Sequence, residues 1–182
     1  MRNVWLPISA SVLLSSAGLG YAAETPKAPE PTPTPVKIKR TEIIAADNWT
    51  VTCTVADQPN AKRRCSAELR ILKTDNNQQI VVFAWVVAMQ DTKPTSVISV
   101  PSGVLIAPGV QMKIDDKEPK SFAFVACQPD HCESFIPLDE ATVKTLVAAT
   151  TAEFTVTASN GNTAKFTANV KGFEEALGLV KK

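Results

Sequence analysis

Beyond Thr41, apolar and polar residues alternate at every second position over long stretches, the pattern of strands with one covered face. Trp49, Val51, Cys53 and Val55 interleave with Thr50, Thr52 and Thr54, residue types that suit a pleated backbone. Positions 64–73 alternate again through Cys65, Ala67, Leu69 and Ile71. Over 79–89 the alternation gives way to nearly continuous apolar sequence, with Val81, Val82, Phe83, Trp85, Val86 and Val87, which predicts a central strand buried on both faces. Shorter strands are expected over 96–100, 104–106, 110–114, 121–127 and 132–137. Pro101-Ser102-Gly103, Pro108-Gly109 and Asp115-Asp116 punctuate them with turn chemistry.

The period changes after residue 138. Val143, Leu146 and Val147 recur at spacings of three and four, and Asp139 is placed to cap the first turn of a short helix. Strands over 153–158 and 163–170 flank Asn160-Gly161, a dipeptide suited to the positive backbone angles of a tight hairpin. Phe173, Ala176, Leu177 and Val180 suggest a last helical turn or two, weakened by Gly178. Many short strands with one or two short helices make the fold mainly β, a single-domain β-sandwich or flattened barrel.

The N-terminal 40 residues have a different pattern. Residues 1–22 read as an export signal, with Arg2 at the start, a mostly apolar run to Leu14, and Gly20 and Ala22 as small residues at the minus-three and minus-one positions. Cutting after Ala23 instead would put Tyr21 at minus three. Serines at 9, 11, 15 and 16 interrupt a stretch already short for a span of about 20 apolar residues, so no stable membrane insertion is expected after cleavage. Residues 23–40 carry Pro26, Pro29, Pro31, Pro33 and Pro35 and read as an extended linker. Residues 41–182 then form the β domain.

Charge narrows the partners. The whole chain has 19 Lys plus Arg against 18 Asp plus Glu, and loss of the signal leaves it neutral. A nucleic-acid binder needs a strongly basic face to neutralise phosphates, and none is evident. The linker is net basic and the domain net acidic. Within the domain, Lys62-Arg63-Arg64 stands out as three adjacent bases.

Cys53, Cys65, Cys127 and Cys132 permit three connectivities, and an exported chain meets conditions in which disulfides persist. Pairing Cys53 with Cys65 and Cys127 with Cys132 is favoured, because each pair sits at the mouth of a loop between adjacent strands; crossed pairings stay open. The favoured pairing displays Lys62, Arg63 and Arg64 on a constrained loop, a candidate partner-binding site. A zinc site is disfavoured because the spacings depart from the two-residue knuckle. His131, the only histidine, adjoins Cys132 and supplies the one argument for thiol chemistry. Against it, four residues separate Cys127 from Cys132, where redox motifs typically have two.

Other chemistry is sparse. Asp115, Asp116 and Glu118 lack the spacing of a calcium loop, and neighbours on an extended chain point to opposite faces, which disqualifies Asp115 and Asp116 as paired catalytic carboxylates. No G-x-S-x-G motif appears, and no catalytic, cofactor or metal site is assigned. Trp49 and Trp85 lie in strand patterns and are expected to anchor the core.

Taken in order, Asp47-Asn48-Trp49-Thr50-Val51-Thr52-Cys53, Cys65, the strand with Trp85, and Val100-Pro101-Ser102-Gly103-Val104 resemble the bacterial invasion-associated locus B family. Phe124-Val125-Ala126-Cys127, His131-Cys132 and the closing Gly172-Phe173-Glu174-Glu175-Ala176-Leu177 continue the resemblance, which covers essentially all of 46–180. It implies an exported, envelope-associated β-rich protein, with some members linked to host-cell entry and no established enzymatic activity. One departure is His131, which stands where the turn between the later cysteines commonly ends in glycine. The expected function is therefore a non-enzymatic, disulfide-braced protein, periplasmic or secreted, with outer-membrane association as a further expected location. It would act on a protein partner in the envelope or on a host surface, through sheet edges and the basic loop. The alternatives are a periplasmic thiol–disulfide protein using Cys127 and Cys132, and a small-ligand carrier, which needs a cavity inside a barrel.

Overall fold

Hairpins turned by Asp and Asn, the side chains that best tolerate a positive φ, build most of the larger sheet. β1 (Ile38–Ala46) and β2 (Trp49–Ala56) meet at Asp47, with φ 50°; β3 (Arg64–Asp75) and β4 (Gln78–Gln90) meet at Asn76 and Asn77, with φ 46° and 63°. Two consecutive positive values define the mirror-image turn that matches strand twist. Asp91, at φ 55°, leads from β4 to β5 (Lys93–Pro101). The chain continues through β6 (Val110–Ile114), β7 (Lys120–Phe122), β8 (Phe124–Cys127), β9 (His131–Pro137) and α1 (Glu140–Ala148). It ends with β10 (Thr151–Thr157), β11 (Thr163–Asn169) and α2 (Phe173–Val180). This computed structural model describes residues 37–182; the export signal and residues 23–36 of the proline-rich segment lie outside the described residues.

The strands form two antiparallel sheets, one of seven in the order β1-β2-β3-β4-β5-β9-β8 and one of four in the order β11-β10-β6-β7. They pack as an open sandwich and do not close into a barrel. Alternation delivers Val51, Cys53, Leu69, Phe83, Trp85, Ile98 and Val100 from the large sheet to the inside. Phe83 meets Phe154 of β10 with ring centroids 4.7 Å apart, and Trp85 meets Phe154 edge-on at 5.0 Å. α2 closes the end of the core by seating Phe173 against Trp49 at 5.6 Å. Trp49 and Trp85, 5.2 Å apart, are thus core anchors. Aromatic side chains from both sheets meet in this interior.

Both expected helices form. Asp139 caps α1 by accepting the Thr142 amide at 2.6 Å, satisfying one of the donors a helix start leaves free.

Four local expectations change. β4 is central in its sheet, yet Phe83, Trp85 and Val87 are buried while Val82, Ala84 and Val86 remain half-exposed and Ile80 and Val81 exposed. Among the described residues its outer face has no second layer, so continuous apolar sequence here marks a central strand covered on one face only. The single strand expected over 121–127 is two: β7 joins the small sheet, β8 joins the large one, and the chain crosses at Ala123. Residues 104–106 supply only an isolated bridge, Val104 to Ala158. The last hairpin turns one residue wider than Asn160-Gly161 suggests: Ala158 donates to the Asn162 carbonyl, and only Gly161, φ 84°, is left-handed. β1 was not anticipated at all. It starts at Ile38, so its first three residues come from the stretch that composition assigns to the linker.

Candidate interaction surface

The first cysteine pair sits in one cross-strand row. Glu42 of β1 faces Cys53 of β2, which faces Cys65 of β3, and Cys53 and Cys65 are bonded with Cα atoms 4.0 Å apart. The favoured pairing is therefore the observed one, and it fastens β2 to β3 at the root of the 57–63 loop. Lys62 and Arg64 are exposed on this rim. Arg63 is not free: its Nη2 lies 3.2 Å from Glu42 Oε2, and Arg40 Nη2 holds the other oxygen of the same carboxylate. Of the three sequence-adjacent bases, Lys62 and Arg64 face water and Arg63 joins the rim to β1. Spacing along the chain gave no sign of Glu42, because the pairing spans 21 residues.

β1 is the edge of the large sheet, and among the described residues it pairs with β2 alone. The two-residue turn at Asp47-Asn48 makes Ala46 and Trp49 a hydrogen-bonded pair, and alternation extends this to Ile44 with Val51 and Glu42 with Cys53. The N–H and C=O groups of Thr41, Ile43 and Ala45 consequently point away from the sheet. Ile43 is 73% exposed and Ile38 is 52% exposed. Lys39, Arg40, Lys62, Arg63 and Arg64 cluster around this edge, with Glu42 the carboxylate between Arg40 and Arg63. The two surfaces expected separately, a sheet edge and a basic loop, thus share one end of one sheet.

The second pair, Cys127 and Cys132, is bonded across the β8–β9 hairpin, again with Cα atoms 4.0 Å apart. Gln128 donates to the His131 carbonyl at 2.7 Å, closing the turn around Pro129-Asp130. Cys127 is exposed on the edge strand and Cys132 is buried. His131 and Cys132 are consecutive on β9, so their side chains leave on opposite faces. The imidazole instead faces carboxylates: Nδ1 is 2.9 Å from Asp130 Oδ1 and Nε2 is 3.3 Å from Glu133 Oε1. The Asp130 hydrogen bond, followed by Glu133, raises the His131 pKa, and the same contact lowers that of Asp130. His131 is turned toward the acids and away from the sulfur that thiol chemistry would need it to activate.

Asp115 has a structural task that sequence did not signal. At φ 43° it turns its carboxylate back to accept the Thr151 amide at 2.8 Å, the Thr150 amide at 3.2 Å and the Thr151 hydroxyl at 3.1 Å. These bonds, led by the Thr151 amide, lower its pKa. Among the described residues, no three His, Cys, Asp or Glu side chains gather closely enough to hold a metal ion. An open groove of about 730 Å³ lies outside the sandwich, where the β4–β5 turn, the end of β9 and α1 meet, and Phe135, Pro137 and Val143 are among its lining residues.

The family model described as "Invasion associated locus B (IalB) protein" matches residues 49–181. The crystal structure of invasion associated protein B from Bartonella henselae superposes with a TM-score of 0.65 at 20% sequence identity, covering 76% of this chain and 94% of that one. No curated protein matches the sequence.

Proposed function

The chain belongs to the invasion associated locus B family, and from that premise we propose that it is an exported, non-enzymatic envelope protein that works by binding another protein. Its work is in maintaining the envelope or in contact with a host cell. One observation carries the reading: the open edge of β1 and the bases Lys62 and Arg64 lie together at one end of a sheet fastened by Cys53–Cys65. The filled interior supports it, since the exposed chemistry is an edge and a charged rim. Two disulfides across neighbouring strands fit a location outside the cytoplasm, where such bonds persist. Among the described residues no helix is long and apolar enough to cross a membrane.

The test is a pull-down from envelope extracts with wild type and with the double charge reversal Lys62→Glu and Arg64→Glu. A polypeptide retained by the wild type and lost by the variant supports the basic rim. Equal retention by both removes it.

A second reading, thiol–disulfide exchange at Cys127 and Cys132, draws on the exposure of Cys127 at the β8 edge. The orientation of His131 argues against it. Acid trapping and alkylation of thiols in intact cells separates the two: a fully oxidised second pair supports a brace, and partial reduction or mixed disulfides at Cys127 supports exchange.

A further inference from the structure

We infer that β1 is the docking edge itself, and that its partner is an acidic segment that binds in extended form as an added antiparallel strand. The inference rests on the protein-binding reading above and deepens it by naming the edge and the chemistry of the occupant.

Three observations converge. First, β1 is the longest edge strand, nine residues against four in β8, seven in β11 and three in β7. The outward amides and carbonyls of Thr41, Ile43 and Ala45 form a template that only another extended backbone satisfies in full. Second, Ile43 is the most exposed large aliphatic side chain described, at 73%. It stands in the row Ile43–Thr52–Ser66–Ala88 across the outer face. An added strand would lay every second side chain beside that row, so the face itself selects aliphatic or β-branched residues there.

Third, the charge is one-sided. Lys39 and Arg40 flank the edge, while Arg64 lies two strands in, in the row Thr41–Thr54–Arg64, about 10 Å away at ordinary strand spacing. A strand added outside β1 would lie one spacing farther, about 14 Å from Arg64 and beyond the Debye length of about 8 Å at physiological ionic strength. Lys39 and Arg40 therefore act on it directly, and Arg64 steers its approach chiefly at low salt. The nearby acids are Glu42, already shared by Arg40 and Arg63, and Asp57, whose amide donates to the Lys37 carbonyl at the start of the edge. Against them stand Lys37, Lys39, Arg40, Lys62, Arg63 and Arg64, leaving the positive side in excess. From Ile38 on, the chain carries 16 bases and 16 acids; five of those bases, Lys39, Arg40, Lys62, Arg63 and Arg64, stand at this edge, so the remainder, with 11 bases, is net acidic. This polarity favours an acidic segment over a second copy: self-pairing about Thr41 would set Arg40 opposite Glu42 of the other copy but Lys39 opposite Ile43, leaving Lys39, Lys62 and Arg64 of both copies without an acid that an acidic segment supplies.

The test uses the oxidised protein from Ala23 to Lys182 and two synthetic peptides of alternating valine and glutamate, or valine and lysine. Amide exchange and chemical shifts are followed by NMR. The acidic peptide is expected to slow exchange at Thr41, Ile43 and Ala45, and to bind about tenfold more tightly than the lysine peptide. Ile43→Pro removes an outward donor at an edge where proline is tolerated and abolishes that protection, while Lys62→Glu with Arg64→Glu weakens binding without moving the site. Protection at β8 or β11, equal binding of the two peptides, or no binding of either overturns the inference. So does a dimer that occupies β1. None of these results alters the outcome of the envelope pull-down, which judges the protein-binding reading independently.

Discussion

Glu42 joins the edge to the rim, because one carboxylate holds Arg40 and Arg63 at once. Glu42→Gln should change stability by no more than about 1 kcal/mol, since partly exposed ion pairs contribute little, while freeing Arg63 to turn outward. Thermal melts and the Arg63 side-chain NMR signals check both halves. Titration at the single-residue level has two opposite signs. Asp115, Asp130 and Asp139 all have lowered pKa values, from hydrogen bonds led by Thr151, His131 and Thr142 respectively. Their contribution is present above the ordinary value of 3.8 and is lost as the pH falls through the lowered ones. His131 is raised above 6.5, so its contribution is full below 6.5 and is lost as the pH rises through the raised value. Melting temperature against pH should therefore drop on the acid side below about 4. A shallow decline above about 6.5 should also appear and should vanish in His131→Gln. A decline that persists in that variant would contradict the assignment.

At the scale of elements, turns and cross-links decide the outcome. Gly172, φ 86°, leads into α2 with its backbone against Ala46; an added Cβ would stand 2.3 Å from the Ala46 carbonyl oxygen. Gly161, φ 84°, opens into solvent. Alanine at 172 should thus cost clearly more than alanine at 161, where only the roughly 1 kcal/mol penalty of a left-handed residue applies; urea titration of the two variants orders them. Replacing Cys53 and Cys65 together by alanine should cost roughly 3 kcal/mol, and Cys127 with Cys132 roughly 2, because the first bridge closes the longer loop. The sandwich, both helices and the cysteine pairing were legible because each rests on local information: period two, period three to four, an Asp cap, and a loop between neighbouring strands. β1 was not, since Lys39 and Arg40 dilute its pattern and five prolines precede it. The one-sided burial of β4 was also hidden, because what covers a strand belongs to the rest of the fold. The candidate site was half legible: the bases were visible, but Glu42 and the edge beside them are brought in by pairing across strands.

At the scale of the whole described domain, two sheets share one core, and the bases Lys39, Arg40, Lys62 and Arg64 gather at the β1 end. The two sheets are held by a few large rings, and Trp85→Ala should cost about 3 to 5 kcal/mol as expected for a buried aromatic, read as a loss of cooperative unfolding or a large fall in midpoint. Disulfides at separate places then fasten the sheet margins, Cys53–Cys65 beside the β1 end and Cys127–Cys132 at the β8 edge. What distinguishes the two margins is charge, since the bases gather at β1. The most direct measurement is photo-crosslinking in living cells, with the crosslinker placed in turn at Thr41 and Ile43 of β1, Val125 of β8 and Thr167 of β11. The account predicts a discrete polypeptide adduct from positions 41 and 43 that disappears with Lys62→Glu and Arg64→Glu. Adducts from 125 or 167 with none from β1 would contradict it.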